Sequence, residues 1–454
     1  MKIKKAKLKN RLEGALSKRM HTGVHIKKIK DVQVIEAPSR NFHIARLTIS
    51  FRKESSDKNE RLNLILKRLK SNPPKTDFSG VSDDREVDKL PAYTRRLFEY
   101  LQGPINNGRE GGNLVRFYGQ EGNELYEEDA GDISMERLFI EKTPNTKLLE
   151  DLIQTIAIAH FRWAENINPY MNELYDLRLK KEENFLNKLH DNLDVILEYF
   201  GKHLKNSEKD ILSKLFLGID EYFKDPDFSI FTRIIHSDLH LGHIFLRYND
   251  KKFSSIKNMS KNELSKYNPE IKIIDLSAMR IGPQTFDLVD ILKHPAAINC
   301  NEYPTQNSQR GLIEDLLRKY IIKKSESWLE VHHTEPRNGI EIKSDLEFHP
   351  LFYVSNIYRD IRAAANGISV IANPKNKGLY EIYKKLNPKY HIYPRWYLAD
   401  LGETLRYLMS DKFENSFKNY INHELLEQSF SILKGHLHEL EEDPILISKE
   451  IVNY

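Results

Sequence analysis

The sequence predicts an α+β protein in which a small β-rich N-terminal part precedes a larger, mainly helical part. Between residues 31 and 69, and again at 114–118 and 124–128, apolar and polar residues alternate with the period of a strand. From residue 149 onward apolar residues recur every three or four positions. Further helical patterns lie at 171–224, 308–330, 350–371 and 396–443. This order of elements predicts two lobes.

Length and composition agree with a large globular protein. The chain has 454 residues, more than the usual single domain, of which 30% are charged and 40% hydrophobic. No apolar run reaches the roughly 18 residues that a membrane span needs. Cys300 is the only cysteine, which excludes an internal disulfide and suits a reducing compartment. Because the N-terminus also lacks the apolar core of a secretory signal, we expect a cytoplasmic protein.

The first 30 residues are strongly basic, with eleven Lys or Arg against one acid, Glu13. Such a segment can bind RNA or acidic lipid, but a short charge run is ordinarily a solvated tail or a surface strand pair. We therefore expect a separable basic tail at 1–30, an N-terminal lobe at 31–130 and a helical lobe at 131–454.

A polar loop rich in histidine follows a short apolar run in the second part. Residues 234–245 read IIHSDLHLGHIF, with Asp238 between His236 and His240 and with His243 close behind. A rigid strand that delivers a carboxylate into a wet loop is how a sheet presents an acid to a cleft.

A second stretch has the same design. Residues 271–288 read IKIIDLSAMRIGPQTFDL, with Asp275 directly after the apolar run. Two acids that converge in this way indicate chemistry on a metal-bound phosphate.

The two stretches resemble the aminoglycoside phosphotransferase and choline kinase family of the protein-kinase-like fold. The catalytic loop of that family reads roughly HxDxHxxN, and its metal-binding strand end reads IDxxxxxxGPxxxDL. This chain has His243 where the family usually has asparagine. The matched positions are His236, Asp238, His240, Asp275, Gly282, Pro283, Asp287 and Leu288.

The resemblance implies a bilobal phosphotransferase that uses ATP and Mg²⁺, and the imidazole of His243 makes Mn²⁺ a second candidate ion. It makes Asp238 the base for the acceptor hydroxyl and places His236 and His240 in the same catalytic loop, His236 as a brace. It makes Asp275 the ligand that bridges to the metal, and it puts Asp287 beneath the loop as a cap for backbone amides. Such a reaction asks mainly for positioning and for neutralisation of charge.

The resemblance also assigns nucleotide contacts in the first lobe. Residues 37–42, APSRNF, lie where the family covers the phosphates, which makes Ser39, Arg40 and Asn41 candidate contacts. The strand LNLILK ends at Lys67, the candidate phosphate-binding lysine. Without the downstream motifs, Lys67 would be interpreted as a surface lysine that snorkels to water.

Glu86 is the first candidate for the acid that pairs with Lys67, and Glu99 is the second. Both lie in a helical stretch after Lys67, and Pro91 is expected to break or kink the helix between them. A lone glutamate on an amphipathic helix is otherwise a solvated residue.

The hinge between the lobes is expected at residues 125–132, where backbone groups can meet an adenine edge. Glu127 lies in this segment and is a further candidate nucleotide contact.

A lysine-rich insert at 247–268 is expected to be an exposed excursion. His160 lies on an apolar helical face and is expected to be a core residue rather than a ligand. A phase slip at Ala45–Arg46 predicts a bulge.

Two other functions remain open from the sequence. The altered metal ligand and the glycine-poor loop also suit a catalytically inactive, kinase-like binding protein. A metallohydrolase could instead use His236, Asp238, His240 and His243 to bind zinc or manganese. ATP binding separates the hydrolase from the others, and turnover separates the active from the inactive relative. The acceptor, whether sugar, aminoglycoside or amino alcohol, is not readable.

His243→Asn should show whether this histidine binds the metal. Imidazole nitrogen favours manganese or zinc, whereas an amide oxygen suits magnesium. If His243 is a ligand, the manganese-to-magnesium ratio of nucleotide affinity should fall in the variant, as measured by calorimetry with each ion. If His243 turns away and water completes a magnesium shell, the ratio will stay unchanged.

Overall fold

The structure is a computed structural model of the chain. It describes the residues 5–35, 42–70, 84–102, 113–142, 145–170, 173, 185–224, 232–248, 253–264, 266–298, 306–332, 345–387, 390–410 and 418–447.

The strands of the described residues are short outside the first part of the chain. They are β1 Val24–Ile35, β2 Phe42–Lys53, β3 Glu60–Leu69, β4 Phe117–Glu121, β5 Glu124–Glu128, β6 Thr232–Ile235, β7 Ile244–Arg247, β8 Glu270–Ile273 and β9 Arg280–Pro283.

The helices fall mostly after residue 130. They are α1 Lys5–Met20, α2 Asp84–Gln102, α3 Met135–Glu141, α4 Thr146–Ile167, α5 Phe185–Tyr199, α6 Asn206–Lys224, α7 Phe253–Ile256, α8 Lys261–Leu264, α9 Thr285–Leu292, α10 Pro295–Ile298, α11 Gln306–His332, α12 Asp345–Ala372, α13 Lys377–Leu386, α14 Tyr393–Leu408 and α15 His423–His436. None of the described helices is both long and apolar enough to cross a membrane.

The chain divides into two compact units. The N-terminal unit comprises Met1–Ile133, Glu165–Leu179 and Ile244–Ala278, and the helical unit comprises Ser134–Ala164, Lys180–His243 and Met279–Tyr454. A small antiparallel sheet followed by a larger helical part confirms the predicted α+β class.

The unit boundaries differ from the contiguous lobes that the sequence predicted, because a later segment returns to the N-terminal unit. In that segment β7 pairs with β8. The Ile273 amide then donates to Asn113 O at 2.7 Å, and the Val115 amide donates to Ile273 O at 3.1 Å. These bonds attach the strand that precedes Asp275 to the first part of the chain.

The basic N-terminal segment is not a separable tail. Residues 5–20 form α1, and Leu8, Leu12, Ala15 and Leu16 are buried in the same core as the first three strands. Their spacing places them on one helical face, while lysines such as Lys7 occupy the exposed face. The lysines dominate the composition of this segment, so composition alone does not show that its apolar residues lie on one face of a helix.

The five-stranded sheet has the order β1-β2-β3-β5-β4. The bulge predicted at Ala45–Arg46 is wrong, because β2 pairs residue by residue with β3 through both positions. Ala45 is buried in phase with Leu47 and Ile49, so the small alanine, not an insertion, explains the apparent slip. The irregularities lie in β1, on either side of Lys28.

Two further predictions about local structure are wrong. Helix α2 continues through Pro91 from Asp84 to Gln102, so of the break or kink expected there the break is wrong. The insert at 247–268 is not wholly exposed, because Tyr248, Phe253 and Ile256 are buried. The apolar residues are sparse in that insert, which is why composition alone suggested a solvated excursion.

In the helical unit a two-stranded pairing brings two functional segments together. Strand β6 pairs with β9, with Ile235 opposite Arg280 and Arg233 opposite Gly282. Because the pairing is antiparallel, the loop that follows β6 begins beside Arg280, at the start of β9. A Cβ at Gly282 would lie 2.7 Å from Ile235 Cδ1, so a larger residue there would displace the end of the Ile235 side chain.

Leu12→Ala should destabilise the N-terminal unit by about 2–5 kcal/mol, because it removes a fully buried side chain from the core. Thermal unfolding followed by circular dichroism should show an earlier transition. Lys7→Ala, on the exposed face of the same helix, is the matched control and should change stability by less than about 0.5 kcal/mol. Equal melting curves for the two variants would mean that α1 is not part of the core.

Candidate active site

Lys67 joins two carboxylates in the N-terminal unit. Its Nζ lies 3.0 Å from Glu127 Oε2 and 3.4 Å from Asp275 Oδ1. The side chains of Lys67 and Glu127 are almost completely buried, whereas 31% of the Asp275 side chain is accessible to solvent. One cation is therefore held between a buried acid and an acid that a ligand can still reach.

The register of the sheet explains why Glu127 is the buried partner. Lys67 lies opposite Leu125, and Ile65 lies opposite Glu127. Since residues two apart on a strand share a face, Lys67 and Glu127 are diagonal neighbours, a distance that two long side chains can span. A hinge residue predicted as a nucleotide contact is thus the ion-pair partner of the lysine.

The ion pair keeps Lys67 charged. Burial disfavours the ammonium, but Asp275 and Glu127 outweigh that effect and raise the pKa of Lys67 above its ordinary value. Burial raises the pKa of Glu127, while Lys67 opposes the rise. Because the Lys67–Glu127 bond is short and direct, we treat both groups as charged.

Asp275 occupies a strained backbone position directly after the strand end. Its φ is +64°, in the left-handed region that residues other than glycine rarely adopt. The Ser277 hydroxyl donates to Asp275 Oδ1 at 2.9 Å and holds the carboxylate. Strain of this kind costs about 1–3 kcal/mol and is concentrated at functional sites.

Several predicted nucleotide contacts lie outside the described part of the chain. These are Ser39, Arg40 and Asn41, together with the side chain of Glu86. Glu99, the second candidate partner of Lys67, forms ion pairs with Arg95 and Arg96 instead.

In the helical unit, Asp287 holds the loop that carries the predicted base. Its Oδ2 accepts from the His236 amide at 2.7 Å, and its Oδ1 accepts from the Ser237 amide at 2.8 Å. Ser237 has a φ of +68°, so the backbone turns sharply just before Asp238. This is the amide cap that the resemblance implied for Asp287.

His160 supports the Asp287 carboxylate from inside the core. Its Nε2 lies 2.9 Å from Asp287 Oδ2, and its Nδ1 lies 2.8 Å from the Tyr320 hydroxyl. Burial lowers the pKa of His160, so its ring is neutral, with Nε2–H donating to the carboxylate. The prediction that His160 is a satisfied core histidine is confirmed.

Asp238 is exposed at the end of this supported loop, with 46% of its side chain accessible. Arg362, from α12, donates to Ser237 O at 3.2 Å, and its Nη2 lies 3.9 Å from Asp238 Oδ1. Burial raises the pKa of nearby Asp290 to about 6, with Asp238 adding to the rise and Arg362 opposing it. The sequence gave no local signal for Arg362 or Asp290, because neither belongs to the two motifs.

The histidines of the loop take different positions. His236 is fully buried, which suits the bracing role expected for it. His240 accepts from the Gly242 amide through Nδ1 at 3.1 Å. A Cβ at Gly242 would lie 2.7 Å from His240 Cε1 and 2.8 Å from Glu136 Oε2, so the loop has no space for a side chain there.

Two groups of side chains around His240 have the composition of a metal site. One consists of Glu136, His240 and His294, and the other of Asp238, His240 and His243. Within each group the possible ligand atoms lie within 4.8 Å of one another. Burial raises the pKa of Glu136 to about 7, while His243 opposes the rise.

The hydrogen bonding of His243 suits a metal ligand. Its Nδ1 lies 2.7 Å from the Asp238 backbone O. A carbonyl can only accept, so Nδ1 carries the hydrogen and Nε2 keeps the lone pair that would face an ion. Asp275 likewise offers carboxylate oxygen, the donor that magnesium prefers.

Comparisons with known proteins give structural likeness at low sequence identity. No family model and no curated protein sequence matches the chain. Plasmodium vivax ethanolamine kinase is 12% identical with a TM-score of 0.41, over 80% of this chain and 83% of that one.

Two more solved structures are similar to the chain. Choline kinase from Cryptosporidium parvum is 11% identical with a TM-score of 0.45, over 78% of this chain and 87% of that one. The GDP complex of aminoglycoside 2'-phosphotransferase-IIIa is 11% identical with a TM-score of 0.42, over 83% of this chain and 98% of that one. Because the TM-scores lie below 0.5, these similarities do not assign a function, and only the residues of the site can.

Asp287→Asn should loosen the loop that carries Asp238. An amide oxygen can replace one carboxylate oxygen, but its NH₂ group would face the other backbone N–H and leave it unsatisfied, at a cost of about 1–3 kcal/mol. Hydrogen exchange followed by mass spectrometry should show peptides over residues 236–238 exchanging about tenfold faster. Asp210→Asn, at an exposed position of α6, should leave that exchange unchanged. Equal protection in both variants would contradict the role of Asp287.

Proposed function

We propose that the protein is an ATP-dependent phosphotransferase that moves the γ-phosphoryl group to a hydroxyl of a small molecule. In this reaction the acceptor oxygen forms a bond to the γ-phosphorus while the bond to the β-phosphate bridging oxygen breaks. Asp238 takes the hydroxyl proton, and ADP leaves with the electron pair of the broken bond. Nucleotide and acceptor are the partners that this function requires.

The observation that carries the proposal is the way in which the helical unit presents Asp238. A buried carboxylate holds the two preceding amides, the backbone turns at Ser237, and an exposed carboxylate follows. Such a base needs a fixed position near an incoming hydroxyl more than it needs a shifted pKa. Asp287 and Arg362 supply that fixed position.

The ion-pair group of the N-terminal unit supports the nucleotide part of the proposal. Lys67 stays charged and can balance phosphate oxygens, while Asp275 has the exposed oxygen and the strained backbone expected of a metal ligand. We propose Mg²⁺ as the ion, with Asp275 as its ligand.

A metallohydrolase built on four loop residues has weaker support. His236 is fully buried, with its amide bonded to Asp287, so it does not share the exposure of Asp238. The hydrolase also leaves the Lys67–Asp275 pair without a purpose. An inactive binding protein would keep the same geometry, so only turnover can separate it from the active enzyme.

Asp238→Asn should reduce turnover by about two to four orders of magnitude, because the amide cannot accept the hydroxyl proton. Nucleotide affinity should change little, since Asp238 acts on the acceptor. The measurement starts with a panel of sugars, aminoglycosides and amino alcohols, incubated with ATP or GTP and screened by mass spectrometry for the gain of one phosphate. The best acceptor then serves for kinetics.

Two variants sharpen this test. Asp275→Ala should weaken the metal-dependent part of nucleotide binding, which calorimetry with and without Mg²⁺ will show. Asp210→Asn should behave as the parent in both assays. Near-parent turnover in Asp238→Asn would remove this residue from the mechanism. Nucleotide binding without turnover on any acceptor would favour the inactive relative.

A further inference from the structure

The imidazoles beside Asp238 have a chemistry that phosphoryl transfer does not use. The ring centroids of His240 and His243 are 4.0 Å apart. The possible ligand atoms of Asp238, His240 and His243 lie within 4.8 Å of one another. Two imidazole nitrogens and one carboxylate oxygen form a donor set that binds zinc and its transition-metal neighbours much better than magnesium.

The hydrogen bonds around these residues favour this group over the one that contains His294. In His294 the Nδ1 accepts from the Ala296 amide at 3.2 Å, so the hydrogen of the neutral ring lies on Nε2. In His240 the Nδ1 accepts from the Gly242 amide, so its hydrogen also lies on Nε2. In His243 the hydrogen lies on Nδ1, which donates to the Asp238 backbone O. In the group with His294, two imidazoles must therefore move their hydrogen to the other ring nitrogen before Nε2 can bind an ion. In the group with His243, only His240 must do so.

Access also favours the group with His243. Asp238 is the most exposed of the candidate ligands, with 46% of its side chain accessible, whereas His294 is buried. An ion from solvent can therefore reach the Asp238 carboxylate directly. Three protein ligands leave one position of a tetrahedral shell for water.

We propose that Asp238, His240 and His243 bind a divalent transition-metal ion of the zinc class. The bound ion coordinates the Asp238 carboxylate, which then cannot take the proton of the acceptor hydroxyl, so the ion inhibits the enzyme. Metal binding here is independent of the function proposed above. The inhibition that follows from it rests on that function. The ion is distinct from a nucleotide-bound magnesium ion, because its ligands include the base itself.

Cobalt(II) is the probe for this site, because its visible absorption intensifies when the six-coordinate hydrated ion enters a four- or five-coordinate site in a protein. The full-length protein, freed of metal by a chelator, should bind one equivalent of Co²⁺, and Zn²⁺ should displace it. His243→Asn, His240→Gln and Asp238→Asn should each lower the Co²⁺ affinity by about tenfold or more, the scale seen even for outer-shell partners. Circular dichroism checks that each variant is folded.

Two controls decide which residues are responsible. His391→Gln changes an exposed histidine of the helical unit and should leave Co²⁺ binding unchanged. His294→Gln should do the same. Loss of binding in His294→Gln with normal binding in His243→Asn would overturn the proposal in favour of the other group. The absence of a Co²⁺ band, or equal affinity in all variants, would overturn it altogether.

The activity assay separates this inference from the proposed function. If the enzyme is active, micromolar Zn²⁺ added over saturating Mg²⁺ should inhibit the parent and should inhibit His243→Asn about tenfold less strongly. Turnover without a Co²⁺ band would reject the metal site and keep the enzyme. A Co²⁺ band that needs His243, with no turnover, would keep the metal site and reject the enzyme. Bound Co²⁺ with turnover unaffected by Zn²⁺ would overturn the inhibitory role.

Discussion

The loop that carries Asp238 depends on one buried negative charge, the carboxylate of Asp287. A charge in the core is tolerated only when hydrogen bonds replace its water, and here the His236 amide, the Ser237 amide and the His160 ring supply them. Each charge-assisted bond contributes about 1.5–3 kcal/mol. Together they offset the left-handed backbone of Ser237, which costs about 1–3 kcal/mol.

A second buried network holds the helix that supplies Arg362. Asn356, earlier on α12, has its Nδ2 within hydrogen-bond distance of Asp360, Asp400 and Thr404, at 2.9, 3.0 and 2.7 Å. Lys293, at the end of α9, donates to Asp400 at 2.6 Å. Helices α9, α12 and α14 are therefore joined by buried hydrogen bonds, which form only in one relative orientation. Apolar packing alone would hold them less specifically, and Arg362 would have no fixed relation to the loop that follows β6.

What the sequence predicted best was chemistry within continuous motifs. The loop around Asp238 and the strand end before Asp275 were readable because neighbours in the chain define them, whereas the capping role of Asp287 followed only from the family resemblance. Glu127 was identified, but its pairing with Lys67 was not, since that contact depends on the register of β3 against β5. Arg362 comes from a helix more than a hundred residues after the loop. Only tertiary packing brings it there, so no local pattern could reveal it. The segment now seen as α1 was misread because lysines dominate its composition.

The Lys67 group has a consequence for the order in which ligands bind. In the structure one ammonium is matched by two carboxylates, Glu127 and Asp275. A phosphate that approaches alone meets a pair of acids whose combined charge exceeds that of the lysine. A divalent ion bound by Asp275 reverses this local balance and releases Lys67 to the phosphate. Metal and nucleotide should therefore bind with positive heterotropic cooperativity, each increasing the affinity of the protein for the other by the same factor.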